Sequence, residues 1–339
     1  MRYLPNGKQM SEADAHTIHE IGIPSLVLME RAALQIVETM HKKNISTEKS
    51  LIVCGSGNNG GDGFAVARLL TEQGKHADVL FAGKEASLSE ECRCQKQIVE
   101  NMGISVFTEF PDEEYTVIID AVFGVGLCRE ITGHYKDVID WMNLQDAEKV
   151  AVDIPSGICA ATGKILGTAF RADLTVCMAC VKLGCELFPG KSYAGESIPV
   201  AIGIDPKYFS NRLDVCYTFD KNDLGKLLPS RMMNSHKGSY GKVLMITGSP
   251  GMAGAAFLSA CAAYTVGAGL VQIYTASENR LALQELLPEA IISCYDSYDD
   301  SQLSHLLDWA DVVCIGCGLG MGQRSEERRV GKECQLRCR

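Results

Sequence analysis

Apolar and polar positions change period repeatedly along this chain, and the changes predict its elements. A helical spacing runs from Ser11, a candidate cap, through Glu20. Gly22-Ile23-Pro24 breaks it, and Ser25 can cap a second helix over 26–41. The apolar run Leu51-Ile52-Val53-Cys54 then predicts a short buried strand. A glycine-rich loop follows, and after it a helix over 63–73 that stops at Gly74. Residues 77–82 predict the next strand. Ser87-Leu88-Ser89-Glu90 has the form of a capping box opening a helix that ends near Gly103. Strands at 104–107 and 116–122, a helix over 135–142, and strands at 149–154, 173–178 and 197–202 complete this half. Strands that alternate with helices imply right-handed crossovers and a mostly parallel sheet covered on both faces.

The alternation lapses between Asp205 and Lys237, a polar stretch punctuated by Pro206, Pro229 and Gly238, which predicts a domain boundary. It restarts with a strand at 242–247, a glycine-rich loop, a helix over 255–266, and strands at 269–275, 290–294 and 311–315. The expected division is 1–221, 222–322 and 323–339. The second unit is short for its style, with about 80 residues from Lys242 to Met321. Residues 323–339 have no periodicity and a sudden basic excess, which reads as a foreign or frame-shifted tail; a native disordered terminus is the alternative.

Composition narrows the class. The 339 residues carry a formal charge of −10, which disfavours a nucleic-acid groove. At 46% apolar and 7% aromatic the chain suits an α/β enzyme. No apolar run reaches the ~18 residues of a membrane span, and the first residues lack the apolar core of a signal peptide. The 15 cysteines therefore read as reduced thiols in a cytoplasmic protein. Cys177/Cys180 and Cys314/Cys317 have the spacing of metal or redox pairs. Each overlaps an apolar strand, however, where residues three apart face opposite sides. His16, His19 and His236 read as surface residues.

Three loops carry candidate chemistry. Gly55-Ser56-Gly57-Asn58-Asn59-Gly60-Gly61-Asp62-Gly63 holds five glycines in nine residues between a strand and a helix. Such a loop lets the backbone approach an anion and offers it free N–H groups. It lacks the Lys-Ser/Thr pair of the P-loop. In Asp120-Ala121-Val122-Phe123-Gly124-Val125-Gly126-Leu127 and in Val152-Asp153-Ile154-Pro155-Ser156-Gly157 a carboxylate ends a strand before a loop. Ligands of parallel sheets bind beyond the carboxyl ends of strands, so Asp62, Asp120 and Asp153 are expected to converge there. Carboxylates among phosphate-binding loops need an intervening cation or a role in proton transfer. In the second half, 248–255 and 316–320 read either as phosphate-holding loops or as tight turns.

Taken in order, these three motifs and Leu28-Met29-Glu30-Arg31-Ala32 resemble the epimerase domain of NAD(P)H-hydrate repair enzymes, the YjeF N-terminal family. The second unit, from His236-Lys237-Gly238 through Gly316-Cys317-Gly318, resembles the start of the ADP-dependent dehydratase domain of the same enzymes. The resemblance implies a Rossmann-like three-layer αβα epimerase domain followed by a partial ribokinase-like α/β domain. It implies an isomerase that interconverts the R and S epimers of NADHX or NADPHX. Dehydration, a lyase activity, would use ADP or ATP only in a complete second domain, and the family's downstream motifs have no match after Gly322. It further implies that Asn58, Asn59, Gly60, Gly61 and Asp62 bind substrate phosphates. A second substrate loop would comprise Gly124, Val125, Gly126, Leu127, Cys128, Arg129 and Glu130. Asn59, Asp120 and Ser156 would hold a potassium ion. Asp153 would contact the nicotinamide end, and we expect it to be the catalytic acid/base. Ala255 and Gly318 match substrate contacts of the second domain. The partners implied are the small-molecule substrate and a second copy of the chain, as a homodimer or higher homo-oligomer, with neither nucleic acid nor membrane. Two other classes stand beside the enzyme: a non-catalytic nucleotide- or protein-binding module of the same fold, and a ribokinase-type small-molecule kinase.

Overall fold

The computed structural model of the chain describes residues 1–228, 230–297 and 299–320, and the tail expected at 323–339 lies outside them. The chain divides into two compact units, Met1–Leu228 and Pro229–Arg339. The division follows Leu228 rather than Lys221. Asp223 pairs with the N-terminal ammonium group, so the segment after Lys221 belongs to the first unit.

The first unit opens with β1 (Arg2–Leu4) and α1 (Gly7–His16). Asn6, not Ser11, caps α1. Its side chain accepts from the Gln9 N–H (3.0 Å), and the Gln9 side chain accepts from the Asn6 N–H (2.9 Å). Ser11 sits inside the helix and donates to the Gly7 carbonyl. A π-helical turn, Thr17–Ile21, prolongs α1, and Gly22 ends it at φ 86°. His16 is half-buried beside the Tyr208 ring. Then come α2 (Ser25–Lys42), β2 (Lys49–Cys54), α3 (Asn58–Glu72), β3 (His76–Phe81), α4 (Glu90–Asn101), β4 (Val106–Phe107) and β5 (Val117–Ala121). Ser89 alone caps α4; Ser87 lies in the preceding 3-10 turn. The unit continues through α5 (His134–Leu144), β6 (Glu148–Val152), β7 (Leu174–Met178), α6 (Leu183–Glu186), α7 (Gly190–Ala194), β8 (Glu196–Val200), β9 (Cys216–Thr218) and α8 (Leu224–Leu227).

Seven strands form a parallel sheet in the order β4-β3-β2-β5-β6-β7-β8, so the order reverses between β2 and β5. That reversal is where an open α/β sheet leaves a crevice for a ligand. Alternate strand residues feed the two faces. Ile52, Val79 and Ile119 pack beneath α2, α3 and α4, while Leu51, Val53 and Ile118 pack against Val138, Ile139 and Met142 of α5. A separate ribbon pairs β1 with β9 antiparallel.

α3 starts at Asn58, five residues before the expected start at Gly63. Glycine weakens a helix by about 1 kcal/mol relative to alanine. Here tertiary packing requires it: a Cβ on Gly60 would stand 2.0 Å from the Gly55 carbonyl oxygen, and one on Gly61 would stand 2.5 Å from the Met29 methyl.

The second unit contains β10 (Lys242–Ile246), α9 (Ala253–Val266), β11 (Leu270–Ala276), α10 (Arg280–Leu286), β12 (Ile291–Tyr295), α11 (Asp300–Trp309) and β13 (Val312–Ile315). Its strands are parallel in the order β12-β11-β10-β13. Among the described residues no helix is long and apolar enough to cross a membrane.

Candidate functional site

Three turns meet at the carboxyl edge of the first unit's sheet, after β2, β5 and β6. The turn 55–57 leads straight into α3, whose first N–H groups have no intrahelical acceptor and form the positive end of a 15-residue helix. The turn after β5 lies against it: a Cβ on Gly124 would stand 3.4 Å from the Asn59 amide oxygen. The third turn is tied to β5 and the second turn through Ser156. Ser156 Oγ donates to Asp120 Oδ1 (2.6 Å) and accepts from the Phe123 N–H (2.8 Å).

These turns line a cavity of about 660 Å³. Among the expected residues, Asn58, Asn59, Asp62, Gly124, Val125, Gly126, Leu127, Cys128, Arg129 and Asp153 line it. Gly60 and Gly61 do not; they are buried supports of the helix start. Glu130 is exposed and outside the lining. Asp120 and Ser156 are fully buried and also lie outside it. The expected convergence of three aspartates therefore brings two of them, Asp62 and Asp153, to the cavity. Ala255 and Gly318 belong to the second unit, where they touch each other: a Cβ on Gly318 would stand 2.7 Å from the Ala255 methyl.

The carboxyl groups differ in their surroundings. Asp62 is half-buried and receives no side-chain hydrogen bond among the described residues. Burial pushes it well above the usual carboxylate range, and the neighbouring Asp153 and Asp14 carboxylates push the same way. Burial raises Asp14 too, with Asp153 and Glu91 adding to the effect. Asp153 instead has a cation. Its Oδ1 pairs with the Lys182 ammonium and accepts from the Met178 N–H (2.8 Å). Its backbone sits at φ 70°, a left-handed conformation that aspartate tolerates better than most residues.

Asp120 accepts from Ser156 N (2.7 Å), Ser156 Oγ (2.6 Å) and Val122 N (3.2 Å). Burial still pushes its carboxyl up to about 6, although those bonds pull the other way. No Lys, Arg or His pairs with it among the described residues. The Asn59 Nδ2 is buried without a partner. The two ends of an amide are assigned by their partners, so turning this one places an oxygen in that position. Asn59, Asp120 and Ser156 between them offer an amide, a carboxylate and a hydroxyl oxygen, with no nitrogen or sulfur needed as donor. It suits a hard cation such as potassium, and the unpaired buried carboxylate gives such an ion a charge to offset.

Sequence reasoning missed Met10, Ser11, Asp14, Leu28 and Met29 from the first two helices, and Met178, Ile202 and Ile204 beyond β7 and β8. It also missed Lys182. The signal for the first group was present, because the motif at 28–32 lies on α2. Lys182 lacked one: it follows an apolar stretch 29 residues after its partner.

The sequence matches the family described as YjeF-related protein N-terminus over residues 25–184, and the family described as NAD(P)H-hydrate dehydratase over 243–330. It is 42% identical to the NAD(P)H-hydrate epimerase of Oenococcus oeni, covering 59% of this chain and 96% of that protein. It is 44% identical to the enzyme of the same name from Limosilactobacillus reuteri, covering 58% and 93%. The bifunctional NAD(P)H-hydrate repair enzyme Nnr of Moorella thermoacetica is 33% identical, with 94% of this chain covered but only 64% of that protein's length. Among solved structures, yeast ynu0 (YNL200c) superposes with a TM-score of 0.53 over 65% of this chain and 97% of its own, at 19% identity, a likeness of fold. An epimerase relative matched at 42% over nearly its whole length places this chain in the NAD(P)H-hydrate epimerase family, with a dehydratase-like second unit.

Proposed function

We propose that the first unit interconverts the R and S epimers of NADHX and NADPHX, reduced nicotinamide dinucleotides hydrated at carbon six of the ring. The observation that carries this reading is a single cavity lined both by a helix N-terminus, for phosphates, and by the Asp153 carboxylate, for the ring.

The reacting carbon bears a hydroxyl next to the ring nitrogen. When a carboxyl protonates that hydroxyl, the nitrogen lone pair expels it as water and an iminium forms. Water then adds to the opposite face and returns its proton to a carboxylate. No electrons are gained or lost, and the configuration at carbon six inverts. Asp153 exchanges the proton, a role typically worth ~10²–10⁴-fold. Asp62, whose surroundings raise its pKa, can while protonated donate a hydrogen bond to a phosphate oxygen instead of repelling it. Asn58 and the first N–H groups of α3 hold the same phosphate, and the turn 124–129 forms another wall of the dinucleotide's cavity. Asn59, Asp120 and Ser156 would hold a potassium ion, which supplies fixed positive charge near the phosphates.

The test is epimerisation of pure R-NADHX by the purified chain without ADP or ATP, followed by chromatographic separation of the epimers. We expect equilibrium to be reached far faster than the spontaneous rate. No acceleration by a folded sample would favour the binding-module reading. Asp153→Ala should lose about 10²–10⁴-fold in rate and stay folded. Replacing potassium by a bulky organic cation should slow the enzyme; an indifferent rate would remove the ion from the site.

For the second unit, the dehydratase resemblance suggests ADP or ATP as ligand, and titration calorimetry with ADP tests it. We extend the reading to a cytoplasmic homodimer or higher homo-oligomer. Exposed Leu26, Val27 and Leu34 on α2 support association, and light scattering measures it.

A further inference from the structure

Lys182 is fully buried, and its ammonium group has two partners: Asp153 Oδ1 and the Met178 carbonyl (3.0 Å). Burying an ammonium group costs several kcal/mol, so an apolar side chain would fill a purely structural position more cheaply. The placement is also built into the backbone. Asp153 and Ala179, which follow the adjacent strands β6 and β7, both take left-handed conformations, at φ 70° and 59°. Asp153 N donates to the Val176 carbonyl (2.8 Å), which fixes the turn against β7. Non-glycine residues held in such conformations concentrate at functional sites.

The bonds at Asp153 are asymmetric. Oδ1 takes both Lys182 and the Met178 N–H, whereas Oδ2 receives no hydrogen bond among the described residues. The charged and titratable groups around the pair are Asp14 from α1, Asp62 from α3, and the Cys177, Cys180 and Cys185 thiols. None of these is a cation, so Lys182 is the counter-charge among them.

We propose that Lys182 is a positioning residue of the epimerisation: it fixes Oδ1 of Asp153 and leaves Oδ2 to exchange the proton with the substrate. As water bonds to carbon six of the iminium, Oδ2 takes its proton and the ring nitrogen recovers its lone pair. In the reverse direction Oδ2 returns that proton to the leaving hydroxyl.

This inference rests on the epimerase reading. Catalysis by the unaltered chain is therefore measured first, and its absence would reject that reading rather than this one. The kcat and KM of the full chain are then compared with those of Lys182→Met, Asp153→Asn and the double variant, each shown to be folded by thermal melting. Lys182→Met should lose about 100-fold in kcat with KM within about threefold. In the Asp153→Asn background the same change should cost less than about twofold, because Lys182 acts through the carboxylate already removed. A Lys182→Met enzyme with near-normal kcat would overturn the proposal, as would a loss confined to KM or an equal loss in both backgrounds. If Lys182→Met does not fold, Lys182→Gln is judged by the same criteria. It keeps a hydrogen-bond donor of similar reach without the charge.

Discussion

A carboxyl group that is desolvated beside two others holds its proton more tightly than usual, and Asp62 is in that position. The consequence is a pH dependence of binding. Below its raised pKa Asp62 is neutral and can donate to a phosphate; above it, the new charge repels the phosphate. KM for either hydrate should therefore rise as pH climbs through that raised pKa, and Asp62→Asn should flatten the rise. The same shift bears on stability. The folded state holds a proton that the unfolded chain releases, so stability falls with rising pH from the ordinary carboxylate range up to the raised pKa. Asp62→Asn should raise the melting temperature at pH 8 more than at pH 4. Thiols report the same physics. Burial pushes Cys92 up to about 12 and Cys180 to about 11. A thiol reagent at pH 8 should leave both unmodified while labelling exposed Cys128, and substrate should protect Cys128 because it lines the cavity. The glycines divide in a similar way. Gly60→Ala places a methyl group against the Gly55 carbonyl and should cost about 1–3 kcal/mol, whereas Gly126 faces open space and its alanine variant should melt like the wild type.

The elements that carry the site are held by local chemistry and by packing in different proportions. α1 owes its start to the reciprocal Asn6–Gln9 bonds and brings Met10, Ser11 and Asp14 to the cavity. Asn6→Ala should lower stability by about 1 kcal/mol and raise KM by loosening that wall, measurable by melting and steady-state kinetics. Sequence pattern placed the strands of the parallel sheet within about two residues, because buried strands must be continuous apolar runs. It misplaced the start of α3. A glycine-rich stretch has poor helix propensity, and the close approach of Gly60 to the Gly55 carbonyl and of Gly61 to Met29, which leaves no room for a side chain, exists only in the folded unit. It also missed β1 and β9, three residues each, which pair across more than 200 residues of chain and have no periodicity long enough to detect.

Every residue assigned to epimerisation lies in the unit Met1–Leu228. A chain cut after Leu228 should therefore retain the full chain's kcat, measured with the same epimer chromatography; a large loss would give the second unit a part in the reaction. The motifs after β2, β5 and β6 were legible because each needs particular residue types in a short window: glycines for close approach, a carboxylate at a strand end. Those windows determined the fold class, the glycine-rich loop at the start of α3 and the prominence of Asp153. The tertiary structure alone decided how they divide the work. It carried Asp62 and Asp153 to the cavity and left Asp120 buried under Ser156. It drew in Asp14 from a helix more than a hundred residues from Asp153, and it supplied Lys182 to one oxygen of that carboxylate. Spacing along a chain shows what a residue can do, but charge, burial and partnership depend on distances in space, and those exist only once the chain has folded.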